Sequence, residues 1–138
     1  DFISGFCSET NKEHKDTLSL MDHIKYDYSY TFSYSEREGT MAERKFSDDI
    51  PNNIKQKRLS ELIIKQREHS FYRNKLCVDK TYRVLIEGLS KKSENNFKGR
   101  NSENKMIVFP KGKYNIGDYV NVKVLDCNSA TLFGKILN

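Results

Sequence analysis

The pattern of apolar and polar positions changes character once along the chain. The opening run, DFISGF, is mostly apolar with Gly5 near its end, as fits a short buried strand. In the polar stretch that follows, Thr10 precedes Glu13 by three residues, which is capping-box spacing, so a helix should start there. Thr17, Leu18, Met21 and Ile24 recur at helical spacing and are expected to face a core. YDYSYTFSY mixes aromatic and β-branched residues and predicts a second strand. Strand, helix and strand in this order predict a βαβ unit with neighbouring parallel strands. SEREGT then reads as a polar loop and MAERKFSDDIP as a looser stretch. Pro51, after Asp48 and Asp49, suits the first position of a helix. That helix should run to about Asn74, with Ile54, Leu59, Leu62 and Ile63 as its apolar stripe.

Beyond Asp79 the period shortens. KTYRVLIEGLS, NNFKGRN, KMIVFP, DYVNVKVLDC and ATLFGKIL are five strand-like runs separated by polar turns. Alternation is plain in Tyr82, Val84 and Ile86, and again in Val120, Val122 and Val124. Five short strands with regularly spaced turns predict a small OB-like β-barrel. The expected fold class is therefore α/β followed by all-β. The boundary is expected between residues 70 and 79, giving domains 1–70 and 71–138.

Charge sharpens this division. The 138 residues carry a net charge of +5. Residues 1–70 hold 11 Lys and Arg against 13 Asp and Glu, a net of −2, whereas residues 71–138 hold 13 against 6, a net of +7. An excess confined to one half points to an anionic partner for that half, most often nucleic acid. No apolar run approaches the ~20 residues of a membrane span, and no secretory leader is recognisable. The start on DFISGF, without Met, reads like the inside of a strand and suggests a piece of a longer protein. Cys7, Cys77 and Cys127 lie too far apart for a CxxC or CxxxCxxC metal set and read as small buried thiols in a reducing cytoplasm. His14, His23 and His69 are widely spaced along helices and suit surface or interface roles better than metal ligation. Neither a His/Asp/Ser constellation nor a Gly-rich phosphate loop is present, which leaves hydrolase and nucleoside-triphosphate chemistry unsupported.

Two candidate sites remain. In SYSEREGT, a loop after a parallel strand, Arg37 has the planar fork for a carboxylate and Gly39 permits close backbone approach. In the barrel, Lys91, Lys92, Lys98, Arg100, Lys105, Lys111 and Lys113 are interleaved with Phe97, Phe109 and Tyr114. Cations suit phosphates and aromatic faces suit bases. Phe97 and Phe109 fit the core better than a stacking role, and Arg100, flanked by Lys98 and Lys105, is the expected phosphate contact.

The order of motifs resembles a known family. Asp1, Ile3, Gly5, Phe6, Glu9 and Thr10 match a D-x-I-x-G-F-x-x-E-T pattern. Tyr34, Ser35, Arg37, Gly39, Thr40 and Ala42 match Y-S-x-R-x-G-T-x-A. Together with DDIP and the long helix, these resemble the last part of the radical-SAM (βα) barrel of the methylthiotransferases. KTYRVLIEGLSKKS, FKGRNSENKMIVFP and GDYVNVKVLDCNSATLFG resemble the TRAM domain that ends those enzymes. Gly99, Arg100, Asn104, Val108 and Phe109 are similar to the tRNA-modifying branch. Glu38, where that branch usually has Pro, points toward the ribosomal-protein branch. Cys7 and Ser8 replace a frequent Pro-Gly.

The resemblance implies an enzyme that methylthiolates C2 of N6-isopentenyladenosine at tRNA position 37. Its cofactors would be S-adenosyl-L-methionine and two [4Fe-4S] clusters. The radical-generating cluster would be held by a CxxxCxxC motif N-terminal to this segment, so the segment alone is expected to be inactive and to hold neither catalytic residues nor metal ligands. Ile3, Gly5, Phe32, Tyr34, Ser35 and Arg37 would lie along the cofactor site. The TRAM barrel would hold the tRNA anticodon arm, and the protein would be a cytoplasmic monomer away from membranes. The alternatives are the ribosomal-protein branch and a free, non-catalytic TRAM-type RNA-binding protein.

Overall fold

The computed structural model describes residues 1–137 and divides them into two compact units, Asp1–Ser70 and one beginning at Phe71. In the first unit, strand β1 (Phe2–Ser4) and strand β2 (Thr31–Ser33) pair in parallel, with Ile3 opposite Phe32. Helix α1 (Asn11–Ile24) connects them. Its expected capping box is present: the Thr10 side chain accepts from the Glu13 N–H, and the Glu13 carboxylate accepts from the Thr10 N–H at 2.7 Å. β2 is shorter than the aromatic run suggested. Tyr28 and Tyr30 stand before it as an exposed edge-to-face pair, 5.8 Å between centroids.

Two further differences concern α-helices. A short helix α2 (Met41–Lys45) lies where a loose stretch was expected, and Thr40 caps it by accepting from the Glu43 N–H. The long helix α3 (Asn52–Lys75) was expected to bury an apolar stripe. It buries Leu62 fully, but Ile54, Leu59 and Ile63 only partly. The rest of the buried face is polar: Lys55, Arg58, Gln66, His69 and Ser70. These follow helical spacing with Leu62, so the inward stripe is real but largely hydrophilic. Each of these side chains has a polar partner, which lowers the cost of burial, and of their buried atoms only His69 Nδ1 lacks one among the described residues. Gln66 donates to the Tyr26 carbonyl at 2.9 Å, Ser70 donates to the Asp27 carbonyl at 2.6 Å, and His69 Nε2 meets Asp22 at 3.0 Å. On α1, buried His14 takes a core position beside Met21, its Nε2 2.6 Å from Glu61, while Ile24 is exposed.

In the second unit, β3 (Thr81–Ser90), β4 (Ser93–Arg100), β5 (Met106–Pro110), β6 (Tyr119–Cys127) and β7 (Leu132–Ile136) close a barrel in the order β3-β4-β5-β7-β6. All neighbours are antiparallel except β5 and β7. The alternating valines of β6 point inward and are 4% exposed or less, and they meet Phe97, Ile107, Phe109 and Leu132. The two phenylalanines pack at 6.2 Å between centroids, as core residues. A Cβ on Gly99 would overlap the Leu85 carbonyl oxygen, and one on Gly134 would overlap that of Lys123. These two glycines let neighbouring strands approach more closely than side chains permit.

Candidate nucleic-acid interface and cofactor cleft

In the first unit, α3 fixes the loops that leave the carboxyl ends of β1 and β2. Arg58 Nη1 donates to the Glu9 carbonyl at 2.9 Å and to its carboxylate at 2.6 Å, while Nη2 donates to Asn11 at 2.9 Å. The same Glu9 carboxylate accepts the Gly5 N–H at 3.1 Å. Lys55 donates to the Tyr34 carbonyl and to Asp48 and lies over the Tyr34 ring. The two cations thereby position the loop after β1 and the loop after β2 from one helix face.

Between those loops lies a cleft of about 580 Å³. Ile3, Phe32, Tyr34, Ser35 and Arg37 line it, together with Asp1, Ser33, Thr40 and Ala42. Five of the six residues expected along a cofactor site are thus brought together. The sixth, Gly5, has φ +71° and sits against the Lys55 stem, where a Cβ would collide, so it shapes the turn instead of lining the cleft. Ile3, expected in a buried strand, and Phe32, on the second strand, are 58% and 54% exposed and form an apolar floor. The Tyr34 hydroxyl is buried without a hydrogen-bond partner among the described residues, and burial, with the Cys7 thiol beside it, pushes its pKa up. Among the described residues no group of three or more His, Cys, Asp and Glu could hold a metal ion.

The basic residues of the barrel divide among separate concavities. Lys91, Lys92 and Lys98 border one groove on its outside, with Met106, Val108 and Phe133 as an apolar floor and Asn96, Asn128 and Thr131 at its edges. Register explains the grouping: Lys98 pairs with Val108, and Val108 with Phe133, so the three form a row across β4, β5 and β7. Lys111 and Lys113 border a concavity with Pro110, Tyr114 and Lys135. Lys111 also lies over the Phe97 ring, 5.8 Å from its centroid.

Arg100 and Lys105 are elsewhere. Arg100 lines a groove with Arg83, Glu87 and Tyr119, donates to Asn104 at 2.9 Å and has Glu87 at 3.8 Å. Arg83 stacks over Tyr119 at 4.4 Å. Lys105 donates to Asn74 at 3.0 Å, and Asn74 in turn donates to the Asn128 carbonyl at 2.9 Å. The polar turn 101–104 builds itself: buried Asn101 accepts the N–H groups of Glu103 and Lys105, and Asn104 takes φ +62°. The turn thereby joins antiparallel β4 and β5 as a hairpin.

Phe133 and Lys135 were missed by sequence reasoning. The signal was available, because Leu132, Gly134 and Ile136 alternate inward and so force Phe133 and Lys135 outward.

Comparison with known proteins adds to this geometry. The TRAM domain family matches residues 75–137. A tRNA-2-methylthio-N(6)-dimethylallyladenosine synthase of Amoebophilus asiaticus is 54% identical over 136 residues, covering 99% of this chain and 28% of that protein. Proteins of the same name from Flavobacterium johnsoniae and Karelsulcia muelleri are 49% and 47% identical, covering 98% and 99% of this chain and 28% and 30% of their own lengths. The chain thus spans less than a third of the length of these relatives.

Proposed function

We propose that the chain, 54% identical over 136 residues to the C-terminal part of a tRNA-2-methylthio-N(6)-dimethylallyladenosine synthase, belongs to that family and works as that part of such an enzyme. The whole protein would methylthiolate C2 of N6-isopentenyladenosine at tRNA position 37, in the cytoplasm and as a monomer. Within it, residues 71–138 would be the TRAM domain, and they would hold the anticodon arm. Residues 1–70 would form the last part of a radical-SAM barrel wall.

The observation that carries the RNA-holding role is the groove edged by Lys91, Lys92 and Lys98. None of these ammonium groups has a carboxylate partner among the described residues, so their charge is available to phosphates. Lys111 and Lys113, with Lys135, would extend the same electrostatic surface. Arg100 and Lys105 would contribute less, since Arg100 already has Asn104 as a partner and Lys105 has Asn74 at the end of α3.

The cleft of the first unit fits S-adenosyl-L-methionine. Ile3 and Phe32 offer apolar surface to an adenine, Ser35 offers a hydroxyl, and Arg37 can pair with a carboxylate. That cofactor, with two [4Fe-4S] clusters, would supply the radical chemistry. This chain would bind and orient the cofactor, while cluster ligands would come from elsewhere in the whole protein, leaving the chain alone inactive.

The test is a tRNA-binding titration of the 138-residue chain across salt concentrations, beside an activity assay of the full-length enzyme on prenylated tRNA and on ribosomal protein. We expect binding whose logarithm falls linearly with the logarithm of salt, and activity on prenylated tRNA alone. A flat salt response would remove the phosphate argument. Activity on ribosomal protein would reassign the branch.

A further inference from the structure

We propose that the row Lys98–Val108–Phe133, continued by Lys135, binds an unpaired nucleotide, with its base stacked on Phe133 and the flanking phosphates on the two lysines. The proposal rests on the RNA-holding role above and specifies which form of RNA this face takes.

The geometry follows from the pairing. Val108 lies directly between Lys98 and Phe133 on neighbouring strands, so the lysine and the ring stand two strands apart, about 10 Å. Lys135 is two residues beyond Phe133 on the same outward side of β7, about 6–7 Å along the strand. One aromatic ring therefore has a long cationic side chain on either side. Phe133 is 38% exposed although it belongs to the floor of a groove, so one surface of the ring meets solvent. Opposite it on β6, Asp126 accepts the Cys127 N–H at 2.8 Å, which ties that carboxylate to the backbone.

A duplex does not use such a surface. An A-form helix presents phosphates and a shallow minor groove, and its base faces are covered by stacking. An apolar floor bracketed by cations matches an exposed base with its backbone instead. The groove encloses about 330 Å³, at the small end of ligand sites, which suits one or two nucleotides.

The experiment uses the intact chain, which contains no Trp. Phe133→Trp places a single indole at the platform. Its emission should be quenched when a single-stranded RNA octamer saturates the protein and should change little with a blunt RNA duplex. Phe133→Leu keeps apolar contacts but removes the ring. It should weaken octamer binding about tenfold, leave duplex binding within twofold, and melt like the parent chain. Lys98→Gln with Lys135→Gln should lower the salt slope for the octamer. Unquenched Trp emission at saturation, or Phe133→Leu binding the octamer like the parent chain, would overturn the proposal. Salt-dependent tRNA binding that ignores position 133 would defeat this inference alone, whereas no tRNA binding at all would defeat the RNA-holding role itself.

Discussion

The two units solve the same packing problem with opposite materials. The barrel closes around valine, isoleucine, leucine and phenylalanine. The first unit instead turns a helix face carrying Lys55, Arg58, Gln66, His69 and Ser70 inward and gives each side chain a polar partner, leaving only the His69 Nδ1 of that face without one among the described residues. An apolar core tolerates approximate partners, because burial is non-directional. A buried charged face does not, because each donor needs its acceptor. The exchange has a functional logic: the loops after β1 and β2 are held at their backbone carbonyls and carboxylates, so their positions are set at the edge of the cleft by directional bonds.

The largest expected effects oppose the two materials directly. Arg58→Ala should destabilise the first unit by about 3–5 kcal/mol, since it takes the cation from the largely buried Glu9 carboxylate. Phe109→Ala should cost the barrel a similar amount, about 3–5 kcal/mol, through a cavity. Amide hydrogen exchange resolved by region would test the pair: each substitution should collapse protection in its own unit. If Arg58→Ala left protection in the first unit unchanged, the polar face would not be what holds its loops.

Next in size is Thr10→Ala, which removes the α1 cap and should cost about 1 kcal/mol by denaturant unfolding. The barrel should not respond to it. The smallest effect concerns pH. Hydrogen bonding from Lys65, with His69 alongside, holds the Asp22 carboxyl below its ordinary value of 3.8. A depressed carboxylate contributes stability that is present above the unfolded value and lost as pH falls through the folded one. Acid titration below about pH 4 should therefore loosen the first unit, and Asp22→Asn should abolish that part of the slope. A parallel acid response in the barrel with Asp22 intact would mean that other carboxylates dominate.

The same contrast explains what the sequence disclosed. Barrel strands were legible because alternation is a local signal: Val120, Val122 and Val124 announce their face within five residues. The cap of α1 was legible for the same reason. The inward face of α3 was not, because Arg58 and Glu9 stand 49 residues apart and His14 and Glu61 stand 47 apart. Read one at a time, such residues belong to solvent, and only their distant partners bring them inside. The short helix α2 was overlooked although Thr40 and Glu43 carry capping spacing. At the interface, lysines were visible as charge, but charge has no direction. Which of them share a face depended on the register between β4, β5 and β7, and the parallel β5–β7 pairing is non-local. Phe133 gave no such signal, because its run holds one lysine, whereas Phe97 and Phe109 stand among several and yet point inward.

Gly99 and Gly134 each precede or follow a residue of the outer face: Gly99 comes after Lys98, and Gly134 lies between Phe133 and Lys135. The barrel can accept no Cβ at either glycine without displacing a neighbouring carbonyl. Shape is therefore stored at positions that cannot vary, next to positions whose side chains face outward. A library randomised at 98, 108, 133 and 135 with both glycines kept would sample many surfaces on one unchanged frame, which makes this small barrel a scaffold for selecting new RNA binders.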